Sequence, residues 1–196
     1  MSFLRTRYKC CVIGDHGVGK TSIIHALLGK PVDKLQSTIG IDFFSTTVLL
    51  DNHDVYVTIW DTAGAERYHS LMHSYLRGSD IVIVVYDLTR IDAMESLTYW
   101  LRQIEYNKPS VVVILGNKND LSQVTKHAIH DTIQPYMRQN WSILTSKCSS
   151  RRRESIKNTF QKSILMITKQ DDFPKEVHKV VRITSRKNRR TQKCCT

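Results

Sequence analysis

Eight residues constrain this chain more than any others: Gly14-Asp15-His16-Gly17-Val18-Gly19-Lys20-Thr21. A short, largely apolar strand-like run at 8–13 precedes them, and a helical pattern over 20–28 follows. That context, strand then glycine loop then helix, makes Gly-x4-Gly-Lys-Thr a phosphate-gripping motif rather than a chance turn. The glycines let the backbone close around phosphate oxygens, and exposed N–H groups at a helix start favour anions. Asp15, His16, Gly17, Val18, Gly19, Lys20 and Thr21 are therefore the candidate phosphate-binding residues. Lys20 is expected to reach the β- and γ-phosphates, and the Thr21 hydroxyl to ligate Mg²⁺.

Two further motifs follow in fixed order. Trp60-Asp61-Thr62-Ala63-Gly64 closes an apolar strand-like run. Asp61 can hold Mg²⁺ through a water, and Gly64 offers a backbone N–H to the γ-phosphate. Asn117-Lys118-Asn119-Asp120 follows the buried strand pattern at 111–115, at the strand end where α/β folds bind ligands. The Asp120 carboxylate can accept from N1–H and the 2-amino group of guanine. Adenine lacks that donor pair, so the motif argues against ATP. Asn117 can bond the purine edge and anchor the phosphate loop, and the Lys118 stem can cover the ring. Together the three motifs describe a guanine-nucleotide switch, with GTP or GDP and Mg²⁺ as its ligands.

Around these motifs strands and helices alternate. Runs at 41–50 and 55–60 flank the turn Asp51-Asn52-His53-Asp54 and read as a hairpin. Runs at 81–86 and 111–115 are continuous and rich in β-branched residues, as in central strands covered on both faces. Segments 93–106 and 152–168 have helical spacing, and Pro135 is expected to kink a third helical pattern at 126–139 or shift its start. The alternation predicts an α/β sandwich with helices on both faces of a mostly parallel sheet. Apolar periodicity stops near Asp171, so residues 1–170 read as one domain and 171–196 as a flexible basic tail.

The net charge of +11 is concentrated in Arg151-Arg152-Arg153 and in a C-terminal run from Lys175 to Lys193. Such an excess suits nucleic acid or an anionic membrane. No base-reading motif accompanies it, which favours the membrane and a chain that does not bind nucleic acid. Five cysteines show no C-x-x-C spacing, so zinc is not expected. The N-terminus lacks a long apolar run, and Ser2 excludes N-myristoylation. The chain reads as intracellular with reduced thiols.

Thr38-Ile39-Gly40-Ile41-Asp42-Phe43, Trp60-Asp61-Thr62-Ala63-Gly64-x-Glu66-Arg67-Tyr68, Tyr75-Leu76-Arg77-Gly78-Ser79 and Val84-Val85-Tyr86-Asp87-Leu88-Thr89 give the chain a wider likeness. Over residues 8–168 it resembles the Ras superfamily of small GTPases and, within it, the Rab family. The resemblance implies the small G-domain form of the P-loop NTPase fold, with a mostly parallel six-stranded sheet. It implies that Thr38 joins Thr21 and Asp61 at Mg²⁺, and that segments 30–41 and 64–78 are ordered by GTP and released by GDP. Ile41, Phe43, Trp60 and Tyr75 would form an effector surface, with partly buried core aromatics as the plainer reading. Ser146 and Lys147 would join Asn117, Lys118 and Asp120 at guanine. Cys194 and Cys195 resemble the doubly geranylgeranylated ending of Rab proteins, and two lipid chains anchor stably where one does not. The basic arm would add about 1 kcal/mol per Lys or Arg at an anionic leaflet. The implied protein is a monomer on the cytoplasmic face of an intracellular membrane. Its partners would be effectors, exchange factors, GTPase-activating proteins and Rab-escort-type proteins.

Four positions depart from that pattern. Ala65 stands where a glutamine orders the attacking water, so no catalytic residue is assigned and hydrolysis is expected to be slow. His16 replaces a small residue and can crowd the γ-phosphate or an incoming arginine. No Phe, Tyr or Trp lies between Lys20 and Phe43 to cover the guanine edge. Thr145-Ser146-Lys147-Cys148 replaces T-S-A-K, losing the lysine contacts. The leading expectation is a slow Rab-like GTPase switch in vesicle traffic. The alternative is a hydrolysis-deficient GTP-binding scaffold recruiting effectors to a membrane.

Overall fold

A computed structural model describes residues 7–32, 35–50, 53–64, 69–121, 129–137, 141–170 and 180–186. The expected small G-domain fold is present. In chain order the elements are β1 (Arg7–Ile13), α1 (Lys20–Leu28), β2 (Ile41–Leu50), β3 (His53–Thr62), α2 (His69–Leu76), β4 (Ile81–Asp87) and α3 (Ala93–Glu105). They continue with β5 (Val111–Asn117), α4 (Ile129–Ile133), β6 (Ser142–Lys147), α5 (Arg153–Gln170) and β7 (Val180–Arg186). The sheet order is β6-β5-β4-β1-β3-β2-β7. β1 pairs in parallel with β3 and β4, β4 with β5, and β5 with β6, while β2 runs antiparallel to β3.

The central strands sort their side chains by the two-residue period of a pleat. Ile81, Ile83 and Val85 of β4, with Val111, Val113 and Leu115 of β5, pack on one face with Ile23, Ile24, Phe160 and Ile164. Val82, Val84 and Tyr86, with Val112 and Ile114, pack on the other with Leu97, Trp100, Leu101 and Ile104 of α3. Both faces are dry, which explains why these strands read as unbroken apolar runs. Strand order reverses beside β1, so the loops after β1, β3, β4 and β5 converge above one end of the sheet.

Ahead of Pro135, α4 ends at Ile133 and Gln134–Tyr136 tightens into a 3₁₀ turn, while 126–128 and 138–139 of the expected helical pattern lie outside the described residues. A proline cannot donate the N–H that a continuing α-helix needs there. The flexible-tail reading of 171–196 is corrected at Val180–Arg186, which adds a seventh strand antiparallel to β2, from Ser45↔Arg186 to Leu50↔Val180. The β-branched Val180, Val181, Ile183 and Thr184 suit a strand, and β2 offers an edge of backbone donors and acceptors. Among the described residues, no helix is long and apolar enough to cross a membrane.

Candidate nucleotide site

The phosphate loop leaves β1 at Ile13 and enters α1 at Lys20. Gly19 caps α1 in the left-handed region (φ 95°), and a Cβ there would come within 2.4 Å of Asn117 Nδ2. Only glycine both takes that φ easily and admits the asparagine. No side chain caps α1, so its first N–H groups face the loop's hollow. Lys20 is buried, and its Nζ donates to the carbonyls of Gly14 (2.9 Å) and Asp15 (2.7 Å). Burial pushes its ammonium down to about 8, against the pull of Asp61 and Asp15. A buried cation under that penalty gains from an anion beside it.

The three expected metal ligands meet. Thr21 Oγ1 donates to Asp61 Oδ2 at 2.7 Å and lies 2.9 Å from Thr38 Oγ1; Thr38 Oγ1 is 3.4 Å from the same carboxylate oxygen. Asp61 is 0% exposed, and among the described residues its other oxygen, Oδ1, has no hydrogen-bond partner. Burial raises its pKa above the usual carboxylate value, partly offset by Thr21 and Lys20. An orphaned buried carboxylate oxygen beside two hydroxyls fits a hard divalent cation such as Mg²⁺, which takes few protein oxygens and fills its shell with phosphate and water. A cleft of about 180 Å³ opens over these groups, lined by His16, Gly17, Gly19, Lys20, Thr21, Thr38, Thr62 and Gly64 among others. Gly64 sits hard against the loop: a Cβ there would lie 2.4 Å from Lys20 Nζ. Val18, between the loop glycines, is buried in the core.

At the base end Asn117 is 1% exposed. Its Nδ2 donates to Val18 O at 2.8 Å, and its Oδ1 accepts from Ser150 N at 3.1 Å. The asparagine thus ties the phosphate loop to the loop that follows β6. Lys118 adopts a left-handed backbone (φ 63°) and pairs with Asp87 at 2.6 Å. Burial alone would raise the Asp87 pKa, but hydrogen bonds from Lys118 and Thr89 outweigh it and lower the value. Asp120 faces Ser149 and lies 3.6 Å from Arg151 Nη1. Asp120 and Lys147 line a second cleft, of about 380 Å³, with Asn119, Cys148 and Arg152. Ser146 Oγ turns to Thr159 of α5 at 3.0 Å. Cys148 turns into the core; burial holds its thiol protonated, with a pKa near 12, and Sγ lies 3.8 Å from Asn117 Oδ1.

The proposed effector residues divide. Phe43 is 54% exposed and stacks edge-on against Trp60, with ring centres 4.8 Å apart and Lys9 Nζ 3.7 Å above the indole. Trp60 and Tyr75 are half-buried against the α3-side core, and Ile41 is half-buried at the start of β2. Ala65, Cys194 and Cys195 lie outside the described residues.

Reasoning from sequence missed several groups. Asp87 ends an all-apolar strand at the ligand-binding end of the sheet, a signal that was available. Arg151 was visible only as charge. The carboxylate of Asp15 points away to Trp100, whose indole N–H donates to it at 2.8 Å. Nothing in the local sequence signals that pairing. A family model described as Ras family matches residues 9–169, most of the chain.

Proposed function

The chain belongs to the Ras family, and we propose that it is a Rab-like, membrane-anchored switch that works in vesicle traffic and hydrolyses GTP slowly. Members of the family are GTP-binding switches and GTPases; the narrower reading rests on this chain's own residues. One observation carries the nucleotide-switch part of it above the rest: Thr21, Thr38 and Asp61 converge around an unpartnered buried carboxylate oxygen, next to the buried Lys20. Bound Mg²⁺ would neutralise charge on the β- and γ-phosphates. Lys20 would hold the same oxygens once they replace the loop carbonyls it now faces. Thr38 bonds Thr21 at the site and lies five residues before the exposed Phe43, so its bond can report the γ-phosphate to that surface.

Slow hydrolysis follows from Ala65, whose methyl group can neither orient water nor donate to a transition state. The Rab assignment, double prenylation at Cys194 and Cys195, and attachment to a cytoplasmic membrane face rest on sequence resemblance and on the basic arm. Interaction with effectors, exchange factors, GTPase-activating proteins and escort-type proteins belongs to the same reading.

A second reading, a GTP-holding scaffold with negligible turnover, is favoured by Ala65 together with His16, which lies exposed on the rim of the phosphate cleft. Nucleotide released from a fresh preparation kept in Mg²⁺ separates the two. Mostly GDP is expected for the slow switch, and mostly GTP would support the scaffold. Ala65→Gln is expected to raise single-turnover hydrolysis at least about tenfold, below the usual range for a positioned proton-handling group. An unchanged rate would locate the defect elsewhere in the site.

A further inference from the structure

Asp15 follows the first glycine of the phosphate loop, but its side chain serves another element. Oδ1 accepts the Trp100 Nε1–H at 2.8 Å, and Oδ2 lies 3.8 Å from Arg90 Nη1. Arg90 is itself held by Asp92, through Nε at 2.8 Å and through its Nη2. Trp100 is 1% exposed in the middle of α3 and packed in the α3-side core, so it is the rigid member of the pair. The backbone of Asp15 does something different. Its carbonyl accepts from Lys20 Nζ at 2.7 Å, and the same oxygen would lie 2.5 Å from a Cβ at Gly64. One residue therefore joins α3, the phosphate lysine and the start of the second switch segment.

An aspartate has a short side chain, so fixing its carboxylate limits where its backbone can go. A hydrogen bond from an indole N–H to a carboxylate is directional and strengthened by charge. We infer that Trp100 is a positioning residue: through Asp15 it holds the phosphate loop in the shape that grips nucleotide, with Arg90 as a weaker second hold. Loosening the tether moves the Asp15 carbonyl away from Lys20 and Gly64. The consequence is faster nucleotide release at a nearly constant association rate. The inference rests on the nucleotide-binding reading above.

The test measures release of a fluorescent GDP analogue from the full-length protein with Mg²⁺ present. Asp15→Ala and Trp100→Phe are each expected to speed release about tenfold, which is what one charge-assisted hydrogen bond supplies. The double variant is expected to release no faster than the faster single variant, because both remove the same bond. Asp15→Asn, which keeps an acceptor for the indole and loses the charge facing Arg90, is expected to recover at least half of the Asp15→Ala effect on a logarithmic scale. Wild-type release rates in both single variants would overturn the inference, as would effects that multiply in the double variant. A Trp100→Phe protein with a lower melting temperature and unchanged release would mean that Trp100 acts through packing alone, and would also overturn it. If Trp100→Phe does not fold, the contrast between Asp15→Asn and Asp15→Ala decides. A wild-type protein that retains no labelled GDP would sink the nucleotide-binding reading itself, an outcome distinct from unaltered release.

Discussion

The two ends of the nucleotide site are built on different plans. At the phosphate end the functional groups hold one another: Lys20 bonds the loop it serves, and Thr21 and Thr38 share the Asp61 carboxylate. At the base end each motif residue is held by something outside its motif. Asn117 rests on Val18 and Ser150, Lys118 on Asp87, and Asp120 faces Ser149 and Arg151. The phosphate end is thus a set of groups that bond chiefly one another, braced from outside by Asn117 and Trp100. The base end is a set of parts whose positions depend on the surrounding fold. With Cys148 turned inward and Val32 packed against the core, it also has fewer groups to cover a purine. We therefore expect phosphates, more than base, to carry the affinity.

The sharpest way to break that comparison is Lys20→Ala, which removes the buried cation. Nucleotide affinity is expected to fall by at least about 100-fold, the scale of charged hydrogen bonds at roughly 1.5–3 kcal/mol each. Equilibrium titration with a fluorescent guanine nucleotide checks it, and a loss of only a few-fold would place the affinity at the base end instead.

Asp120→Ala comes next and acts on selectivity. Preference for GTP over ATP is expected to drop by about 100-fold, because a site lacking the carboxylate leaves the guanine donors unpaired. Competition binding with both nucleotides measures the ratio. An unchanged ratio would mean that Asp120 does not read the base.

Val32→Phe tests the missing cover in the opposite direction. GDP release is expected to slow by about 2- to 10-fold, the range that an aromatic contact of about 0.5–1.5 kcal/mol supplies. Unchanged release in stopped-flow measurements would show that lack of an aromatic does not limit the base end.

The smallest expected effect concerns the scaffold under Lys118. The folded-state pKa of Asp87 is lowered, so its pairing stabilises the fold above the unfolded value of about 3.9 and that stability is lost as pH falls through the folded value. Asp87→Asn removes the contribution at neutral pH and flattens the acid dependence. A melting temperature about 2–4 °C lower at pH 7, with the gap closing below about pH 4, is the expected pattern. A gap that persists in acid would assign the loss to packing rather than charge.

Most of the framework could be read from local pattern. α1 begins and ends where the helical spacing predicts, at Lys20–Leu28, because glycines bound it on both sides. β4 and β5 announce themselves as apolar runs because both their faces are dry. β6, Ser142–Lys147, leaves no comparable trace: among the described residues it pairs along one side only, and all of its residues are half-buried or exposed. β7 was hidden because Arg182 and Arg186 interrupt its β-branched run, and its pairing with β2 crosses more than a hundred residues of chain. The loop motif places Asp15 but says nothing of where its carboxylate points, since the partner that turns it, Trp100, is 85 residues away.

The sequence by itself set the expected ligand chemistry: a glycine loop suited to phosphate, a carboxylate and hydroxyls suited to Mg²⁺, an acid expected to read guanine, and Ala65 where a glutamine is expected. Those features depend on residue type and short spacing, which survive any detail of packing. The tertiary structure alone decided which groups hold the site in shape. The Thr21–Asp61 bond, the Lys118–Asp87 pair and the Trp100–Asp15 tether each join segments far apart in the chain. Such contacts follow from how helices and strands stack, and no local periodicity encodes the distance between two side chains that meet only after the sheet has closed around them.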